Sequence, residues 1–193
     1  MAGDYAWFRE VTDLSKGFCF VWVRRVRPAQ VLDRMGAKEL ERIGWQQMVG
    51  AGDGQRGFPD KCYFGVTRLN DDWALVVEDN GELGTEDGQF RALSAGTTLI
   101  CLYRADDGSG RFLLMEDRGV TLQFDPVSGE RPSGRRAAEL ETTVKATRAG
   151  APAQPDDRMA AAFALAERLT GVPLTQADLR KHTYLFSVVP TGQ

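Results

Sequence analysis

Histidine is nearly missing from this chain: His182 is the one imidazole in 193 residues. A serine or cysteine nucleophile would have no other histidine base. His182 closes the segment TQADLRKH beside Arg180 and Lys181 and reads as a surface or helix-end residue. No G-x-S-x-G elbow occurs, so a Ser–His or Cys–His site is set aside. Cysteine is scarce too. Cys19, Cys62 and Cys101 are odd in number, lie in apolar runs and form no C-x-x-C pair. That spacing argues against a zinc site or a dithiol redox site and leaves three reduced core residues. No metal and no cofactor are expected.

Long hydrophobic runs are lacking. FCFVWV and TTLICLY fall far short of the roughly 20 residues a membrane span needs. MAGDYAWFRE has neither the basic nor the apolar region of a secretory signal, so no membrane and a cytoplasmic location are expected. Charge of one sign is lacking as well. At a net charge of −3, no global field gathers nucleic acid, and the arginine clusters at 24–27 and 131–136 carry no interleaved aromatics. Nucleic acid is therefore not an expected partner. The glycines of 50–57 match no phosphate-loop pattern and run into Phe58-Pro59 instead of a helix.

What is present is an ordinary globular composition, 42% hydrophobic and 26% charged, which suits one domain over 1–193. FCFVWVRRV is apolar on both alternating faces and reads as a central strand. KCYFGVTRL, WALVVED, TTLICLYRA, RFLLMED and VTLQFDP follow as short strands separated by turn residues, and YLFSVV closes the series. Helices are expected over DYAWFREV, from Pro28 to Met35, over KELERIGWQQMV, as an insertion over 86–95, and over DRMAAAFALAERLTG and TQADLRKH. Residues 50–60 read as a Gly-rich loop, and 126–136 and 149–157 as loops or linkers. The expected fold is α+β. Its mostly antiparallel sheet has about five to seven strands, with N-terminal helices, one inserted helix and C-terminal helices packed on it.

Carboxylates supply the candidate chemistry. In DDWALVVEDNGELGT, alternation sets Trp73, Leu75 and Val77 on one face and brings Glu78 out on the other at the strand end. Asn80-Gly81 reads as a hairpin turn. Glu78, Asp79 and Asn80 thus become binding candidates, and Glu116 and Asp117 end a second strand in the same way. Two such strand ends could hold a divalent cation or act as an acid/base pair, although no EF-hand spacing is present.

The succession WALVVEDNGELGT, FRALSAGT, FDP and ALAERLTGVPLT, with AWFRE and FCFVWVRRVRPAQVLDRMGA before it, resembles a family of small actinobacterial proteins classed as a domain of unknown function. Glu82 departs from the pattern, which more usually has an aromatic after the glycine. The resemblance implies an actinobacterial, cytoplasmic α+β protein and brings no activity with it. The functional expectation is a non-enzymatic module recognising a partner protein in a regulatory, accessory or toxin-neutralising role. The alternative is a small-molecule-binding or metal-assisted enzyme built on the strand-end carboxylates.

Overall fold

The computed structural model describes residues 2–11, 14, 16–49, 60–149 and 154–190; most of the expected 50–60 loop lies outside them. Strand β1 (Phe18–Arg24) is buried on both faces, as its sequence requires, and occupies the interior of one sheet. It pairs antiparallel with β4 (Trp73–Glu78) on one side and β5 (Thr98–Arg104) on the other. Beyond β4 lie β3 (Lys61–Arg68), β8 (Thr183–Pro190) and β2 (Lys38–Gly44). Beyond β5 lie β6 (Gly110–Glu116) and β7 (Gly119–Phe124). The order is β2-β8-β3-β4-β1-β5-β6-β7, and every pairing is antiparallel.

The sheet has eight strands, one beyond the expected range. The addition is β2, within the segment expected to be helical; the helix there, α2, covers only 45–49. Leu40 and Ile43, three residues apart, imitate a helical stripe. In the structure a bulge between Glu39 and Glu41 leaves Leu40 facing solvent, while Ile43 is buried. Pairing with β8 overrides the helix propensity of Lys, Glu, Leu and Arg, a weak preference of tenths of a kcal/mol per residue. The charges and the bulge also blunt this edge against pairing with another chain.

Helices cover both faces. On one, Phe18, Phe20, Trp22, Trp73, Leu75 and Ile100 pack under an N-terminal 3₁₀ helix (Ala2–Glu10), α4 (Ala137–Arg148) and α5 (Pro155–Thr170). Phe163 of α5 is the hub, its ring centroid 5.3 to 6.4 Å from those of Tyr5, Trp7, Phe8, Phe18, Phe20 and Trp22. On the other face, Cys19, Val21, Val76, Leu99 and Cys101 pack under α1 (Pro28–Met35) and α3 (Asp87–Leu93). Helix α6 (Gln176–Lys181) leads into β8, capped by Thr175, whose Oγ1 accepts the Asp178 N–H at 3.1 Å. None of the helices among the described residues is long and apolar enough to cross a membrane.

Two connections differ from their expected form. Helix α5 begins at Pro155, inside the 149–157 stretch, because proline fits the first helical position; Asp156 and Asp157 occupy its first turn and Gln154 its N-cap. Residues 126–136 are irregular yet docked. Ser133 and Gln123 exchange backbone hydrogen bonds of 2.7 and 2.8 Å, and the Arg136 N–H donates to the Thr121 carbonyl at 2.9 Å, which covers the edge of β7.

Candidate functional site

At the C-terminal end of β4, Glu78 is buried (2% exposed) and serves the backbone. Its Oε1 accepts the N–H of Asn80 at 2.5 Å and its Oε2 the N–H of Leu83 at 3.2 Å. Burial pushes its carboxyl up to about 8; the Asn80 N–H pulls it down, Asp79 pushes it up, and the Leu83 N–H pulls it down again. Asp79 is also buried, at 7% exposed. Glu78, Asp79 and Asn80 border a void of about 10 Å³, near the size of one water, and the Asn80 Oδ1 is buried without a hydrogen-bond partner.

Asn80-Gly81 does not turn a hairpin. Gly81 has φ +80° while Asn80 has an ordinary negative φ, and β1 separates β4 from β5. The glycines of this turn serve close approach. A Cβ on Gly81 would stand 2.5 Å from the Arg104 carbonyl oxygen, and one on Gly84 would fall 2.0 Å from the Tyr103 ring. The turn therefore lies flat on the end of β5. With Lys16, Glu82, Thr85 and Asp106 it borders an open groove of about 470 Å³.

Glu116 and Asp117 stand elsewhere. Glu78 pairs with Cys19 near the start of β1, whereas Glu116 pairs with Thr98, level with the other end of β1. The two levels are separated by five residues of β1, or about 17 Å along the strand. Glu78 points to the α1–α3 face, and Glu116 lines a cleft on the α4–α5 face. Asp117 and Arg118, with φ +45° and +66°, are the two central residues of the β6–β7 hairpin, the positive-φ pair of a type I′ turn. The Asp117 carboxylate accepts the Gly96 N–H at 2.9 Å. The five sequence-derived candidates thus divide into two groups that cannot act on one ligand. Among the described residues no group of three His, Cys, Asp or Glu could hold a metal ion.

The cysteines are buried and free. Cys19 and Cys101 bring their sulfurs to 3.6 Å but are diagonal in the β1–β5 register. Diagonal partners lie about 7–8 Å apart at Cα, outside the usual disulfide span, so the pair packs as thiols.

The better-formed site lies at the Arg24 end of the sheet, a cleft of about 290 Å³ between sheet, α4 and α5. Register builds its floor. The outer row runs Trp73–Arg24 from β4 to β1 and Thr98–Glu116 from β5 to β6, and the Val23–Leu99 pair sets Arg24 beside Thr98. The inner row runs Leu75, Trp22, Ile100, Leu114. Arg136 at the N-cap of α4, Leu140 of α4, and Leu169 and Thr170 of α5 close the other side.

Most of the polar lining is already engaged. Glu116 accepts from Arg136 at 3.0 Å and from the Thr121 hydroxyl at 3.1 Å; Arg136 also grips Glu139 with two nitrogens. Asp72 meets Arg25 at 3.3 Å, and the Thr170 hydroxyl donates to the Ala166 carbonyl at 2.8 Å. Among the described residues that line the cleft, the Arg24 guanidinium, the Thr98 hydroxyl and the Trp73 indole N–H have no partner. The groove at the Gly81 end is larger, but turns make its walls; strands and helices hold the cleft residues more rigidly. Sequence reading missed Arg24 and Thr98 as site residues. Alternation did carry the signal, since Arg24 follows Phe18, Phe20 and Trp22 on one face of the same strand.

Fold and site together define an α+β protein, one wholly antiparallel sheet with helices on both faces and a charged cleft at one end. The chain belongs to the Family of unknown function (DUF6461), whose profile matches residues 1–193. No curated protein and no solved structure matches it.

Proposed function

We propose that the protein is a non-enzymatic binding module of the actinobacterial cytoplasm. It recognises a partner protein in a regulatory, accessory or toxin-neutralising role, and the Arg24 cleft receives one side chain of that partner. The observation carrying this reading is the cleft itself, with rigid walls and three unengaged polar groups, on Arg24, Thr98 and Trp73, on its floor. At about 290 Å³ it falls at the lower bound for small-molecule and cofactor sites, and it suits an anchoring side chain. Leu40 is the one large hydrophobic residue exposed among the described residues, so a partner would be held by pocket and charge more than by an apolar patch. The carboxylates that an acid/base or metal-assisted enzyme would use are engaged in turns and ion pairs at separate places, which favours binding over catalysis.

The test is comparative capture from host cells with tagged wild type and a Leu140→Trp variant, whose indole fills the cleft. A partner held by the wild type and lost by the variant, at unchanged melting temperature, is the expected result. Equal capture by both, or a free monomer by native mass that turns over a metabolite, contradicts the reading.

A further inference from the structure

We infer that the Arg24 cleft is a carboxylate site, with the Arg24 guanidinium and the Thr98 hydroxyl as its donors; this deepens the reading of the cleft as the recognition site and rests on it. The charge arrangement points there. Both acids lining the cleft, Asp72 and Glu116, already have cationic partners, Arg25 and Arg136, so Arg24 is the lining charge without a partner. All three unengaged groups can donate, and a guanidinium fork beside a hydroxyl matches the two oxygens of a carboxylate.

The backbone at Arg24 is fixed from both sides. Its carbonyl accepts the Thr97 hydroxyl, and the next residue, Arg25, donates its N–H to the Asp72 carbonyl at 2.6 Å. Ile100, Leu114, Leu140 and Leu169 supply an apolar wall for the carbon body behind the carboxylate. With one lining cation left unpaired, the cleft matches a monoanion better than a dianion such as a phosphomonoester. The carboxylate could belong to an acidic side chain of a partner protein or to a free small acid, and the chemistry at Arg24 is the same for both.

Isothermal titration at low salt and pH 7 tests this with named probes: 3-phenylpropionate, its isosteric amide 3-phenylpropionamide, phenyl phosphate, and the peptide acetyl-Ala-Glu-Ala-amide. The acid should bind saturably and at least tenfold more tightly than the amide. Arg24→Gln, at an exposed position, should weaken the acid at least tenfold and leave the amide unchanged; Thr98→Val should cost a few-fold. Binding of the peptide at or above the strength of the free acid assigns the site to a partner's side chain, and binding of the free acid alone assigns it to a small molecule. Acid and amide binding alike, phenyl phosphate binding more tightly than the acid, or no probe binding would each overturn the carboxylate assignment. If acid and amide bind alike and Leu140→Trp blocks both, the cleft remains the recognition site and only the carboxylate is wrong. If Leu140→Trp changes neither probe binding nor partner capture, the cleft reading itself falls.

Discussion

Glu78 and Cys19 are cross-strand neighbours on β4 and β1, and both side chains are buried. Burial holds the Glu78 carboxyl near 8, above its ordinary 4.5, so it is mostly protonated in the native state at neutral pH. A folded pKa above the unfolded one means that its contribution to stability is complete below about 4.5 and is lost as pH rises through about 8. At about 1.4 kcal/mol per unit, the upper limit of that loss is roughly 5 kcal/mol. Urea denaturation between pH 5 and 9 should therefore show stability falling with pH. Glu78→Gln should flatten the fall, while costing about 1–3 kcal/mol at pH 5 because its amide leaves one of the two N–H groups without an acceptor. A wild-type profile that is flat over this range would contradict the assignment.

Gly84 lies directly against Tyr103. Gly84→Ala should destabilise by about 1–3 kcal/mol, since the added methyl overlaps the ring. In a Tyr103→Ala background the same substitution should cost much less, and a double-mutant cycle reads the difference. Equal costs in the two backgrounds would show that the ring is not the obstacle.

Leu40 and Ile43 separate strand from helix at the edge of the sheet. Leu40→Asp should change stability by no more than about 0.5 kcal/mol, because the side chain is 44% exposed in the bulge. Ile43→Asp should cost several kcal/mol, because it buries a carboxylate. Equal costs, read from thermal melts, would return both residues to one helical face.

The β6–β7 turn can be improved. Arg118 holds φ +66°, a conformation that costs an L-residue with a side chain about 1–2 kcal/mol and glycine little. Arg118→Gly should be neutral or stabilise by up to about 1 kcal/mol, seen as an unchanged or higher melting temperature. A clear loss would mean that the Arg118 side chain makes a contact worth more than the strain.

Much of the sheet was legible because its signal is local. Phe18 to Val23 alternate between two apolar faces, and both are covered. The helix over DRMAAAFALAERLTG was readable from Phe163 and its neighbours at helical spacing, with Gly171 at its end in the left-handed region. β2 was not legible, since an edge strand exposing five of its seven residues has no face to bury and takes its conformation from β8. The burial of Glu78 was not legible for a related reason. Glu78 in sequence shows charge at a strand end, but its burial depends on Leu83 and the turn folding back over it. The cleft was invisible because Arg24, Thr98, Glu116 and Arg136 converge only through strand register and the docking of α4.

The strand order also constrains when the molecule can form. β1 occupies the interior of the sheet, yet both its partners are made much later: Cys19 waits for Glu78 on one side and Tyr103 on the other. β8, the last strand in sequence, is the wedge that joins β2 to β3. Such long-range pairing slows folding, because the entropy of closing large loops is spent before the contacts that offset it exist. During synthesis the apolar FCFVWV segment therefore lacks its strand partners on both edges until strands some 50 and 80 residues downstream emerge.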